Sequence, residues 1–107
     1  MVAEPIVTSV RSYLRALKEA GLEASFAVVF GSQACGATDR WSDIDVVIVA
    51  PALDGGADAR TVGLLWRVAA RTDSRIEPIP CGTRQWEQDD TSVLLEVARR
   101  EGVRIAA

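Results

Sequence analysis

The sequence predicts one α/β (α+β) domain in which apolar strands are interleaved with amphipathic helices. Two continuous apolar runs, Phe26 to Phe30 and Val46 to Ala50, read as buried strands. Ile6, Val10, Tyr13, Leu14 and Leu17 repeat at helical spacing before them, and Val62, Leu65, Trp66 and Ala69 do so after them. A chain of 107 residues fits a single domain with one core. It contains no internal repeat, low-complexity segment or linker.

Each element has its own start and stop signals. Pro5 suits the first turn of a helix and Gly21 its C-terminal stop. Ala24 to Phe30 then reads as a strand feeding a Gly31-Ser32 turn, with a short helical turn over Gln33 to Ala37. Asp43 to Ala50 is the second strand, ended by Pro51 and the Asp54-Gly55-Gly56 segment. Asp58 caps the next helix, whose buried stripe is Val62, Leu65, Trp66 and Ala69. A third strand covers Arg75 to Ile79. Pro78 lacks an amide donor, so that strand is short or lies at a sheet edge. Thr91 or Ser92 begins a last helix through Val93, Leu94, Val97 and Ala98, stopped by Gly102. Val103 to Ala106 is a short final strand, giving the order α, β, β, α, β, α, β.

Composition narrows the function classes. Hydrophobic residues at 49% and charged residues at 25% are ordinary for a folded domain and argue against disorder. Twelve basic and 15 acidic residues leave a formal charge of −3, so no global field draws the protein onto nucleic acid or an anionic membrane. The N-terminus has no signal-peptide pattern and no stretch is long and apolar enough to span a bilayer, which predicts a cytoplasmic protein. Cys35 and Cys81 form neither a CxxC pair nor a disulfide framework. With no histidine, a zinc site or a Cys-His nucleophile is excluded.

The chemistry-bearing string is Gly31-Ser32, ten residues, then Asp43-Ile44-Asp45. Residues i and i+2 of a strand point the same way about 6.6 Å apart, so Asp43 and Asp45 converge while Ile44 faces the other side. At about 4 Å and an effective dielectric near 20, two such charges repel by roughly 4 kcal/mol. A divalent cation turns that cost into attraction, and oxygen-only ligands favour Mg2+ or Mn2+. Glu77, in the third strand, is a third acid if that strand lies beside the second, and otherwise an exposed edge-strand acid. Three acids can hold two ions about 3.5 to 4 Å apart, and Glu77 can take a proton from an acceptor. Gly31 lets a backbone turn approach phosphate oxygens, and Ser32 offers a hydroxyl and an amide to them.

Phe30-Gly31-Ser32-Gln33-Ala34-Cys35-Gly36 followed by Ser42-Asp43-Ile44-Asp45-Val46-Val47-Ile48-Val49 resembles the minimal nucleotidyltransferases of the DNA polymerase β superfamily. Ile76-Glu77-Pro78 takes the place of that family's third acid, and the match covers most of the chain. The resemblance implies a mixed sheet flanked by helices, two Mg2+ ions and transfer of a nucleoside monophosphate, with ATP as donor. Carried over by position, Gly31 and Ser32 hold the triphosphate, Asp43 and Asp45 bind metal, and Glu77 binds metal and assists deprotonation. Many such short proteins are similar to antitoxins that pair with a helical HEPN-type toxin and attach AMP to a toxin tyrosine.

Cys35 departs from the pattern, because family members often place a basic residue there. Arg40 in the same loop is either its substitute or a solvated side chain. Trp41 covers the core or stacks on a base; Trp66 belongs to the helical core stripe; Trp86 is either a partner anchor or structural packing. Arg99, Arg100 and Arg104 form a solvated C-terminal surface. Two function classes follow: an enzyme adenylylating a protein partner, or a non-catalytic subunit that acts on its partner by contact. Transfer to a small molecule such as an aminoglycoside is a third, for which a homodimer would have to build the acceptor site.

Overall fold

The computed structural model describes residues 2–31 and 43–107. Among them the first helix, α1 (Glu4–Glu19), buries the stripe Ile6, Val10, Tyr13, Leu14 and Leu17. Pro5 stands in its first turn, where its missing N–H has no partner to lose. It ends in a Schellman motif: the Leu22 N–H donates to the Leu17 carbonyl (2.9 Å) and the Gly21 N–H to the Lys18 carbonyl (3.1 Å). Gly21 has φ +103°, which a residue with a Cβ adopts only at a cost.

Strands β1 (Phe26–Phe30) and β2 (Ile44–Ala50) follow, then a 3-10 turn at Pro51–Leu53. Helix α2 (Ala59–Thr72) is capped by Asp58, whose carboxylate accepts from the Thr61 N–H at 2.8 Å. Strand β3 (Ile76–Gly82) leads into a short helix, α3 (Thr83–Gln88), for which the sequence reading had no element. Ser92 caps α4 (Val93–Glu101) through the Leu95 N–H, and β4 (Val103–Ala106) follows Gly102.

Among the described residues four strands form one mixed sheet in the order β3-β2-β1-β4. β1 is antiparallel to β2 and β4, while β2 and β3 are parallel. Strand alternation divides the apolar residues between two faces. On one face Ala27, Val29, Ile44, Val46, Ile48, Ile76 and Ile105 join α1 and α2 in the larger core. The Tyr13 hydroxyl donates to the Leu65 carbonyl (2.9 Å), pinning these two helices together, and burial pushes its pKa up. On the other face Val28, Val47, Val49 and Cys81 pack under Trp86, Leu95 and Ala98 of α3 and α4. Burial pushes the Cys81 thiol up to about 11, so it is a neutral core side chain.

Pro78 lies at an edge, as its missing donor requires. The Ile44 N–H donates to the Arg75 carbonyl (2.8 Å), and backbone polarity alternates along a strand in a parallel ladder. Arg75, Glu77, Ile79 and Cys81 therefore face β2. Their alternates face outward: the Ile76 N–H reaches the Asp73 carbonyl (3.0 Å), Pro78 and Pro80 have none, and the Gly82 N–H reaches Gln85 Oε1 (3.4 Å). No outward donor of β3 is left over for strand pairing, which closes this edge.

Three expectations need correction. Trp66 is not core: it is 47% exposed, because the buried stripe of α2 centres on Leu65, Val68 and Ala69, and Trp66 lies about 100° around the helix from Leu65. The last helix buries Leu95 and Ala98, while Val93 and Leu94 are 74% and 40% exposed. Three consecutive apolar residues allowed either helical register, and packing on Val28 and Val49 selected the one that buries Leu95. The C-terminal arginines are not uniformly solvated. Arg99 donates from Nε to the Trp86 carbonyl (2.8 Å) and from Nη2 to the Gln85 carbonyl (3.1 Å), and lies 5.2 Å from the Trp86 ring centroid. Arg104 stacks 3.9 Å from the Phe26 ring, and Arg100 makes exposed surface pairs with Glu96 and Glu101.

Trp86 is structural packing, 8% exposed and edge-on to Phe26 at 5.9 Å. The expected turn over 33–37, and the readings of Ser32, Cys35, Arg40 and Trp41, lie outside the described residues.

Candidate active site

β1 ends at Phe30, β2 begins at Ile44 and β3 begins at Ile76, so three strand ends meet at one end of the sheet. The registers place Phe30 opposite Asp45 and Asp45 beside Glu77. Register partners point to the same face, so Phe30, Asp45 and Glu77 form one row across three strands. The next rows along the same face are Val28, Val47 and Ile79, then Phe26, Val49 and Cys81. Helices α3 and α4 cover these apolar rows. The Phe30-Asp45-Glu77 row is half-buried, and Asp43 lies exposed just before β2.

Glu77 is therefore beside the second strand, with its carboxyl in a field of like charge. Partial burial, a hydrogen bond with Asp45, the charges of Asp43 and Asp45 and a hydrogen bond with Asp43 hold its pKa above the ordinary glutamate value. Among the described residues no three His, Cys, Asp or Glu side chains close around one point as a ready-made ion cage. The three acids are instead an open row, near enough to perturb Glu77 without being gathered on a common centre.

Gly31 meets this row from the end of β1. Its φ is +75°, and a Cβ built there falls 2.9 Å from Asp45 Oδ2. Glycine is thus required twice, by the turn and by the space the Asp45 carboxylate occupies. The sequence reading assigned the glycine only to phosphate approach.

One positioning feature went unread in the sequence. Asp73, just after α2, accepts from the Arg75 N–H (3.0 Å), Nε (3.0 Å) and Nη2 (2.7 Å). These bonds, first the Arg75 side chain and then its backbone, hold the Asp73 carboxyl down to about 2 despite partial burial; Ser9 of α1 adds a further hydrogen bond. The Arg75 carbonyl receives the Ile44 N–H, so this pair fixes where β3 starts against β2 and hence which residue faces Asp45. The signal was the Asp-x-Arg spacing at a helix-to-strand turn, where an aspartate folds back on the backbone two residues on.

Comparison with known proteins identifies the family and the fold. The profile of the nucleotidyltransferase domain family matches residues 10–96. Among solved structures, a toxin-antitoxin complex with AMP-PNP contains a chain 20% identical to this one at TM-score 0.62, covering 92% of this chain and 70% of that one. A mutant of the toxin-antitoxin MntA-HpeT with two aspartates changed to glutamate is similar at TM-score 0.59 and 18% identity, covering 88% and 69%. At these identities the likeness is one of fold. No curated protein matches the sequence.

Proposed function

The chain belongs to the nucleotidyltransferase domain family, and from that premise we propose that it transfers AMP from ATP to a protein acceptor, a helical HEPN-type toxin, in a Mg2+-dependent reaction in the cytoplasm. The register that sets Glu77 beside Asp45, with Asp43 two residues before it, carries this reading. The donor set fits the metal: all three acids are carboxylates, and partial burial together with the neighbouring Asp45 and Asp43 raises the Glu77 pKa, a crowding of like charge that a divalent cation would relieve. Bound Mg2+, two ions by analogy, would neutralise the row and polarise the reacting phosphoryl group.

The chain's own groups then have separate tasks. Asp43 and Asp45 hold metal; Gly31 and Ser32 hold the triphosphate through backbone groups and the Ser32 hydroxyl. The acceptor hydroxyl oxygen forms a bond to the α-phosphorus, the bond to pyrophosphate breaks, and the acceptor's proton passes to the Glu77 carboxylate. The toxin-antitoxin neighbour with AMP-PNP supports both a nucleotide and a toxin partner for this chain. Among the described residues no helix is long and apolar enough to cross a membrane.

Incubation with α-labelled ATP, Mg2+ and a co-encoded helical partner protein tests the proposal. Label is expected on the partner with the natural chain and not with Asp43→Ala or Asp45→Ala. Equal labelling by all three, or none by the natural chain, would overturn it.

A second reading is favoured by Cys35, a neutral side chain where family members often place a basic residue. In that reading the protein binds its partner by contact alone. Partner binding would survive Asp43→Asn and Asp45→Asn without ATP, and calorimetry with Mg2+ and ATP would show no saturable heat.

A further inference from the structure

The two edges of the sheet are not alike, and the difference points to a second surface. The β3 edge is closed by Pro78 and Pro80. At the other edge the backbone of β4 is open. Because the Ile44 N–H faces β3, the alternate residues Asp45, Val47 and Val49 face β1, where they meet Phe30, Val28 and Phe26. Ala27 and Val29 must then face β4, where they meet Ile105 and Val103. Arg104 and Ala106 are left with outward N–H and C=O groups, and among the described residues none of these has a hydrogen-bond partner.

A groove of about 490 Å³ runs beside this edge, lined by Arg11, Leu14, Arg15, Lys18, Glu23 and Ala24 with the last two residues of the chain. Leu14 and Ala24 are buried and give it an apolar floor. Among the side chains that line it, three cations face one acid. Lys18 is paired with Glu23 at 3.8 Å, and among the described residues neither Arg11 nor Arg15 has an ion pair. This cationic groove stands out on a chain of net charge −3. Arg11 and Arg15 are one helical turn apart, about 6 Å along α1, close to the roughly 6.6 Å between same-side residues of a strand.

We propose that the groove between α1 and β4 docks an extended acidic segment of a partner protein, which adds as a strand to the β4 edge and sets its carboxylates against Arg11 and Arg15. Main-chain hydrogen bonds to Arg104 and Ala106 supply the register; the acidic side chains, every second residue, lie on the α1 face and meet the arginines, and the apolar ones between them point to the other face. The groove lies on the α1 side of the sheet at the start of β1; the acid row lies on the opposite face at its end. Docking here leaves the acid row clear, and it does not depend on nucleotidyl transfer.

Fluorescence anisotropy with a fluorescein-labelled peptide of alternating Glu and Val tests this. The natural chain is expected to bind it, with affinity falling about tenfold or more in Arg11→Glu/Arg15→Glu. A second probe, the same peptide N-methylated on alternate residues, leaves the protein untouched and removes the main-chain donors; it is expected not to bind. Absence of binding by the Glu-Val peptide, equal binding of the N-methylated peptide, equal binding of a Lys-Val peptide, or preference for a single-stranded oligonucleotide of the same charge would each overturn the proposal.

Discussion

Asp45 and Glu77 are register partners across the parallel β2-β3 ladder, and partial burial together with the nearness of Asp45 raises the Glu77 pKa. An acid whose pKa is raised by folding stabilises the fold fully below its unfolded value and loses that contribution as pH rises through the folded value. At neutral pH the row is therefore a cost to the metal-free protein. Asp45→Asn removes one of the repelling charges, so the metal-free variant is expected to melt above the natural protein at pH 7, by about 1 kcal/mol. Millimolar Mg2+ should raise the melting temperature of the natural protein and leave the variant unmoved. Thermal melts with and without Mg2+ read both effects; a metal-free variant that melts lower contradicts the crowding.

Gly31→Ala places a methyl group 2.9 Å from Asp45 Oδ2 on a backbone at φ +75°. Urea denaturation is expected to show a loss of about 1 to 3 kcal/mol, in the range of a strained backbone position. Gly55, also at positive φ (+86°) but with open space around it, separates the two contributions. Gly55→Ala should lose only the conformational share, and equal losses at both sites would remove Asp45 from the explanation.

Opening the closed edge should have a cost in solubility. Pro78→Thr with Pro80→Val restores two outward N–H donors to β3, whose one charged residue is Glu77. The double variant is expected to self-associate in sedimentation at concentrations where the natural chain shows no such β3-dependent association. An unchanged distribution would mean that the prolines do not guard this edge.

Asp73 governs acid stability. Its pKa is lowered to about 2 by Arg75, so its contribution is fully present above the unfolded value near 3.8 and is lost as pH falls through about 2. The shift corresponds to about 2 kcal/mol at neutral pH. Asp73→Asn should cost about that amount at pH 7 and almost nothing at pH 2, measured by urea denaturation at each pH. A variant whose deficit is independent of pH would assign the loss to packing instead.

The strand pair around Gly31 and Asp45, the caps at Asp58 and Ser92, the Gly21 stop and the short final strand were all legible in the sequence. Each depends on residues close in the chain: an apolar run, a side-chain acceptor three residues before a free N–H, or a glycine where φ turns positive. The closed edge was legible from Pro78 for the same reason, since a missing donor is a covalent fact.

Tertiary structure decided the rest. Whether Glu77 belongs with Asp45 or stands alone at an edge depends on which strand pairs with which and in what register, and the Asp73-Arg75 turn sets that through contacts across the sheet. Trp66 is exposed, against expectation, and Trp86 is packed, because burial is a property of the surface a helix meets, which periodicity along one helix does not contain. The sequence by itself determined that two aspartates and a glycine turn sit together at a strand end, because local geometry dictates it. Only the packing of the sheet could bring the third acid to them, bare the groove beside α1 and leave one edge open, because those follow from contacts between residues far apart in the chain.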